Sequence, residues 1–284
     1  MDLKIKKTHE GLRLDQHLVD VLDLSRSKLQ QQIKKGYITV NQKSIKASYL
    51  LQEHDVVSVL NEPEKKSSKL LVDHVDFLYE DESILVINKP IGLSVHSDQS
   101  NQDTLVDYLV RNNISLAATS SQRPGIVHRL DKMTEGVMVV AKTIHAFNHL
   151  KEQFKSRTVI KKYYAMVSGN LPNDFYDINR PIARHPSKRH IFKVDPAGKE
   201  AITLVQVLKR YNTKTLCDVA IKTGRTHQIR VHLSAIGFPL INDVEYAKAK
   251  NKKGQLLQAY FLSFYHPLLK LRFTFEIPLG NRLK

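Results

Sequence analysis

GIVHRLDKMTEGVMVVAKT, residues 125–143, changes character half-way along: a polar cluster gives way to an unbroken apolar run. The cluster holds His128, Arg129, Asp131, Lys132, Thr134 and Glu135, and the run Val137 to Ala141 reads as a buried strand. Reactive groups favour loops that a rigid strand holds in place. An aspartate between an arginine and a lysine is predicted to stay ionised near neutral pH. That suits a nucleophile or base and argues against a resting general acid. Residue types alone serve a surface salt bridge equally well.

Upstream, Ile84 to Ile87 is a second buried-strand pattern running into Asn88-Lys89-Pro90-Ile91-Gly92, where proline and glycine force a turn and leave Lys89 at the strand's end. Downstream, Val159 to Val167 is a strand candidate carrying Tyr163, a residue type found in strands more often as core than as catalyst. Further on, Thr226 is read as a helix N-cap, Ile229, Leu233 and Ile236 form an apolar stripe, and Gly237 ends the helix. Arg230 flanks that stripe and is placed to look into a pocket; in isolation it is an ordinary surface arginine.

The N-terminal part has a different texture. Leu14, Leu18, Val21 and Leu22 recur at helical spacing, and Ser25 is a candidate N-cap for a second helix ending at Gly36. That helix carries Arg26, Lys28, Lys34 and Lys35, a basic face that also fits plain solvation, and a strand-like Tyr37 to Val40 and a turn at Asn41-Gln42 follow it. Residues 63–74 lie in a stretch with a proline, serines and lysines and little periodicity. They read as a linker between units 1–62 and 75–284.

Composition narrows the class. With 44 Lys plus Arg against 28 Asp plus Glu the chain carries +16, a surplus suited to a polyanionic partner. Residues 1–62 hold 10 basic and 8 acidic residues, a net of +2, so +16 minus +2 leaves +14 beyond them. A single cysteine, Cys217, excludes an intrachain disulfide and fits a reducing compartment. The basic start MDLKIKKTHEG has no apolar run behind it, so a cytoplasmic location is expected. The histidines match no metal-ligand spacing, and no metal site is expected.

The run RLDQHLVDVLDLSRSKLQQQIKKGYITVNQKSIKASYLLQEHDVVSV, from Arg13, resembles the small RNA-binding domain named after ribosomal protein S-four. It departs from that family at Gln42 and His54, where glycine is usual. The HRLD of residues 128–131 with GVMVVAKT after it resembles the RluA-type pseudouridine synthases. ILVINKPIGLSVH, KYYAMV, TGRTHQIRVHL and LSFYHPL follow the same family's order. The whole chain is similar to the RluC and RluD branch acting on large-subunit ribosomal RNA. Met133, Glu135 and Gln258 depart from residues more often aspartate, serine and histidine there.

The resemblance implies an α+β chain: a small N-terminal RNA-binding domain, then a catalytic domain on a mixed, largely antiparallel sheet. It implies Asp131 as the catalytic carboxylate, Arg230 as the ion pair orienting it, and Tyr163 rather than Tyr164 stacking on the uracil. Arg129 would hold the opened RNA, with Arg26, Lys28, Lys34 and Lys35 as RNA contacts. No cofactor is expected, and a monomer is. The basic runs Arg180 to Lys193 and Lys248 to Lys253 are candidates for backbone tracking or for solvated loops. Competing readings are a non-catalytic ribosome assembly factor, a synthase acting on transfer RNA, and a glycosidase. The glycosidase lacks a second acid near Asp131 other than Glu135.

Overall fold

The computed structural model describes all residues except Asp23, Ser25, 61–71, Asp73, 97–102, 120–122, Lys248 and 250–252, and omits the side chains of Ser27 and Lys28. The expected cap at Ser25, the Lys28 side chain, most of the expected linker and most of the Lys248 to Lys253 run therefore lie outside the described residues. The chain divides into two compact units, Met1–Ser67 and Ser68–Lys284.

In the first unit, helices α1 (Leu14–Leu22) and α2 (Arg26–Lys34) accompany a three-stranded antiparallel sheet. Its strands are β1 (Asp2–Lys4), β2 (Ile38–Val40) and β3 (Val56–Val59), in the order β1-β3-β2. Leu14 and Leu18 of α1 and Leu29 and Ile33 of α2 close over Ile38, Val40 and Val57. Val21, which fits the helical spacing, is instead 40% exposed. Asp15 is wholly buried, and Arg13, Arg26 and Gln30 converge on its carboxylate. The two departures from glycine are tolerated as left-handed residues, Gln42 at φ 63° and His54 at φ 72°. Asn41 secures the first turn by donating to Asp55 at 2.7 Å and accepting from the Val56 amide.

The second unit is built on one large sheet. Its strands are β4 (Asp76–Glu80), β5 (Ile84–Lys89), β6 (Glu135–Ala141), β7 (Ile160–Ser168), β8 (Phe175–Asn179), β11 (Ile202–Arg210), β12 (Lys214–Ile221), β13 (Leu257–Tyr265) and β14 (Arg272–Glu276). The order is β4-β5-β6-β13-β7-β12-β11-β8, with β14 on β13; only β6 and β13 pair in parallel. A hairpin of β9 (Ile182–Arg184) and β10 (Phe192–Val194) stands apart and carries the basic run from Arg184 to Lys193.

Helices cover both faces, which is why Ile84 to Ile87 shows no polar alternation: all four are fully buried. Each contributes ~1.5–3 kcal/mol of burial. Helix α4 (Ile144–Lys155) packs Ala146 and Leu150 on the face of Ile84, Val86, Val137 and Val139. Helices α3 (Leu105–Arg111) and α5 (Gln228–Ala235) cover the opposite face, with Leu85, Ile87, Met138, Tyr163 and Val219. Where β6 meets β13, Gly136 has φ +125°, and a Cβ there would fall 2.1 Å from the Ala259 carbonyl oxygen. Only glycine allows that approach. Among the described residues no helix is long and apolar enough to cross a membrane.

Candidate active site

The turn carrying Asp131 is fixed from several directions. Leu130 is buried, and the Thr134 amide donates to the Asp131 carbonyl at 3.0 Å. The loop after β5 is stapled to the same turn, since Gly92 N–H donates to the Lys132 carbonyl at 2.9 Å. Lys89 completes the staple: its Nζ donates to the carbonyls of Pro90 and Leu93 at 2.9 Å and reaches that of Lys132 at 3.4 Å. Burial pushes the Lys89 amine down to about 7, against the opposing pull of Asp131 and Glu135. Upstream, His128 Nε2 accepts from the Val139 amide at 3.0 Å and the ring stacks on Phe154. Burial, helped by Lys161, pushes this imidazole down to about 3, so it works as a neutral acceptor.

Helix α5 brings the second half of the site. The N-cap is His227, in the left-handed region at φ 57°, and not Thr226. Gln228 fixes the loop that enters the helix, its Oε1 accepting from the Thr223 hydroxyl and the Arg225 amide, and no side chain caps the first turn. Gln228 also donates to Ile202 and Thr203 of β11. Ile229 and Leu233 are buried as the stripe requires, and Gly237, at φ 88°, ends the helix.

Arg230, also buried, points at Asp131, and Nη1 lies 3.4 Å from Oδ2. Its stronger engagement is elsewhere, a fork onto Asp243 with Nε at 2.7 Å and Nη2 at 2.8 Å. Nη2 also donates to Glu245, and the guanidinium lies over the Tyr246 ring at 4.9 Å. Burial works against the Arg230 charge, but Asp243, Asp131 and Glu245 outweigh it and hold the group above its usual range. His227 closes the far side, with Nε2 3.8 Å from Asp131 and Nδ1 2.9 Å from the Tyr246 hydroxyl. Burial lowers this imidazole below its ordinary value.

Asp131, Arg129, Tyr163, His227 and Arg230 line one hollow of about 570 Å³. Tyr163 is buried there, and burial with the nearby Asp131 pushes its phenol upward. Strand parity sets the two neighbouring tyrosines on opposite faces, and Tyr163 is the one that lines the hollow. Tyr164 faces the other way and stacks on Tyr260 at 3.8 Å, far from the hollow's chemistry. Arg129 is exposed at the rim and also borders an adjoining hollow of about 490 Å³ that holds Glu245 and Gln255.

Several participants had escaped the sequence reading. Lys89 looked like a strand-ending lysine; His227, Asp243 and Glu245 sit in segments with no periodicity. A buried helix arginine needs counter-charges, and that was the available signal for the two acids. Glu245 shares two partners with Asp131, His227 and Arg230. Glu135, the acid expected near Asp131, accepts from Arg282 at 3.2 Å. Gln258 bonds Gly280 and Pro278, so two of the departures from the family pattern anchor the C-terminal segment. In the first unit, Arg26 is committed to Asp15 at 2.9 Å, whereas Lys34 and Lys35 are exposed, the latter beside Tyr37. Among the described residues no group of three or more His, Cys, Asp or Glu is placed to hold a metal ion.

Comparison with known proteins gives this geometry its setting. The chain is 38% identical to the uncharacterized RNA pseudouridine synthase YlyB of Bacillus subtilis, over 98% of this chain and 94% of that protein. It is also 38% identical to the ribosomal large subunit pseudouridine synthase D of Pseudomonas aeruginosa, over 95% and 89% respectively. The structure of human RNA pseudouridylate synthase domain containing 1 shares the fold. It is 24% identical with a TM-score of 0.61, over 72% of this chain and 84% of that one. Residues 12–57 match the S4 domain and residues 83–235 match the RNA pseudouridylate synthase family. The chain belongs to that family, an isomerase with an S4 domain ahead of its catalytic domain.

Proposed function

We propose that this synthase isomerises uridines in large-subunit ribosomal RNA, as a cytoplasmic monomer, with Asp131 as the catalytic carboxylate. The observation that carries the reading is a carboxylate, a tyrosine ring and a buried arginine lining one hollow of nucleoside size. The reaction breaks the bond from ribose C1′ to uracil N1, turns the base, and forms a bond from C1′ to C5. C5 gives up its proton and N1 gains one, so atoms and electrons balance without an external reagent. Asp131 supplies the one carboxylate this needs at the sugar or base. Arg230 aligns that carboxylate while its fork on Asp243 keeps the guanidinium itself from moving. Tyr163 presents a ring on which the detached uracil stacks.

The target uridine must leave its helical stack to enter, which costs a few kcal/mol unless the RNA is already open. Exposed Arg129 at the rim is placed to hold the vacated strand. Lys34 and Lys35, with Lys28 on the same helix, provide RNA contacts, and Arg26 adds its charge while pairing with Asp15. Ribosomal RNA is favoured over transfer RNA by relatives named for the large subunit.

Tritium release from large-subunit ribosomal RNA labelled at uracil C5 tests this. The intact protein should release tritium and Asp131→Asn should release none while still binding the RNA. Release from transfer RNA alone would move the substrate. Binding without release from either would favour the assembly-factor reading.

A further inference from the structure

The chemistry above uses the Asp131 end of the hollow and leaves its other end unemployed. Lys161 and Tyr163 are two residues apart on β7, so both face the hollow, about 7 Å apart along the strand. Asp131 acts on Tyr163, whereas the charge that acts on Lys161 is Arg225. Lys161 thus sits one pleat along β7 from Tyr163, at the part of the hollow lined by Gly224 and Arg225.

One carboxylate, Glu200, acts on Arg225 from nearby, and none among the described residues pairs with Lys161. The Lys161 amine lies over the Phe154 ring at 5.7 Å and has no acid or hydrogen-bond partner among the described residues. Burial and the neighbouring Arg225 push it down to about 8. Arg225 is tied by Nε to the Glu200 carbonyl at 2.9 Å, and its terminal nitrogens have no partner among the described residues. The nearby Glu200 carboxylate is itself forked by Arg157. Gly224, the residue before Arg225, passes close to the Lys161 amine, which an added Cβ would meet at 3.8 Å, so the bare backbone keeps the amine uncovered on that side. A desolvated cation without a counter-ion costs stability, and a fold retains one where a ligand supplies the charge.

Building on the uridine-isomerase reading, we infer that Lys161 and Arg225, beside the bare backbone of Gly224, bind the RNA phosphate next to the target uridine. The base of that uridine lies against Tyr163. A phosphodiester fits because it offers paired oxygens to a guanidinium and a point contact to an ammonium. The spacing of one pleat brings base and adjoining phosphate to the two ends of the hollow together.

The test is a short RNA containing the modified uridine, in which one linkage at a time is replaced by an uncharged methylphosphonate. For the intact protein, neutralising one linkage beside the target should lower kcat/KM about tenfold, the scale of a charge-assisted hydrogen bond. Lys161→Met and Lys161→Gln should start about tenfold lower and be indifferent to that linkage while still responding to others. Lys161→Arg should retain the linkage effect. Melting temperature supplies the structural control: Lys161→Met should hold or gain stability, because it removes an unpaired, half-buried charge and keeps a stem on Phe154. Equal linkage profiles for the intact protein and both neutral variants would overturn the subsite. So would a loss of melting temperature that accounts for the loss of activity. If the intact protein makes no pseudouridine in any RNA, the isomerase reading fails on its own, and the same scan read by binding affinity still decides the subsite.

Discussion

Arg230 is the residue on which most of the site's charge converges, and its partners predict how it fails. Asp243 is wholly buried and receives both arms of the Arg230 fork. Arg230→Met would strand that carboxylate, at a cost of ~3–5 kcal/mol measured by urea unfolding. The double variant Arg230→Met/Asp243→Asn should recover most of the stability and none of the activity, because Asp131 still lacks its aligning cation. Recovery of activity in the double variant would show that Arg230 serves the fold and not the chemistry. The pairing of Arg230 with Asp131 was legible in the sequence through the HRLD and HQIR motifs. The fork on Asp243 was not, since a loop such as NDVEYA has no period from which to infer where its acids point. Lys89 was hidden for a related reason: a lysine ending an apolar strand ordinarily marks the way out to solvent, and here it turns inward to hold three carbonyls.

Among the elements, β6 shows how the Asp131 turn is coupled to the sheet. The neutral His128 ring accepts the Val139 amide proton and stacks on Phe154 of α4, tying turn, strand and helix together. Its value in the fold, about 3, lies below its ordinary 6.5, so between these limits the unfolded chain binds the extra proton. The stabilisation is fully present above 6.5 and is lost as pH falls toward about 3. At about 1.4 kcal/mol per unit, trimmed for the ring's partial exposure, this amounts to roughly 2–3 kcal/mol. His128→Gln keeps an acceptor for Val139 and does not titrate, so its unfolding free energy should depend less on pH than that of the intact protein across this window. Identical slopes would remove His128 from the account of acid stability. The elements themselves were readable where one physical signal dominated: unbroken apolar runs for β5 and β6, a 3.6-residue stripe for α5. The start of α5 departs from the expected Thr226 cap because the helix begins at a left-handed His227 with no side-chain cap, while Gln228 ties the preceding loop at Thr223 and Arg225.

At the scale of the whole molecule, each unit has its own core, Ile5 to Val57 in the first and Val75 to Leu283 in the second. The unit holding the hollow also holds most of the charge: residues 1–67 carry 12 basic and 9 acidic residues, a net of +3, so +16 minus +3 leaves +13 for residues 68–284. On the proposed reading, chemistry and bulk electrostatic attraction reside together, and the S4 unit would add a small, locally directed contribution through Lys34 and Lys35. A protein shortened to begin at Val72 should therefore fold and still isomerise uridine with kcat little changed, since every residue lining the hollow is retained. Its KM for ribosomal RNA should rise, and its affinity should fall less steeply with salt, the slope of log K against log salt dropping by about 1–2 for two lost phosphate contacts. A lowered kcat with unchanged KM would mean that the first unit shapes the catalytic site. Unchanged KM and salt slope would mean that Lys34 and Lys35, at the end of α2, are merely solvated, and that the catalytic unit alone selects the RNA.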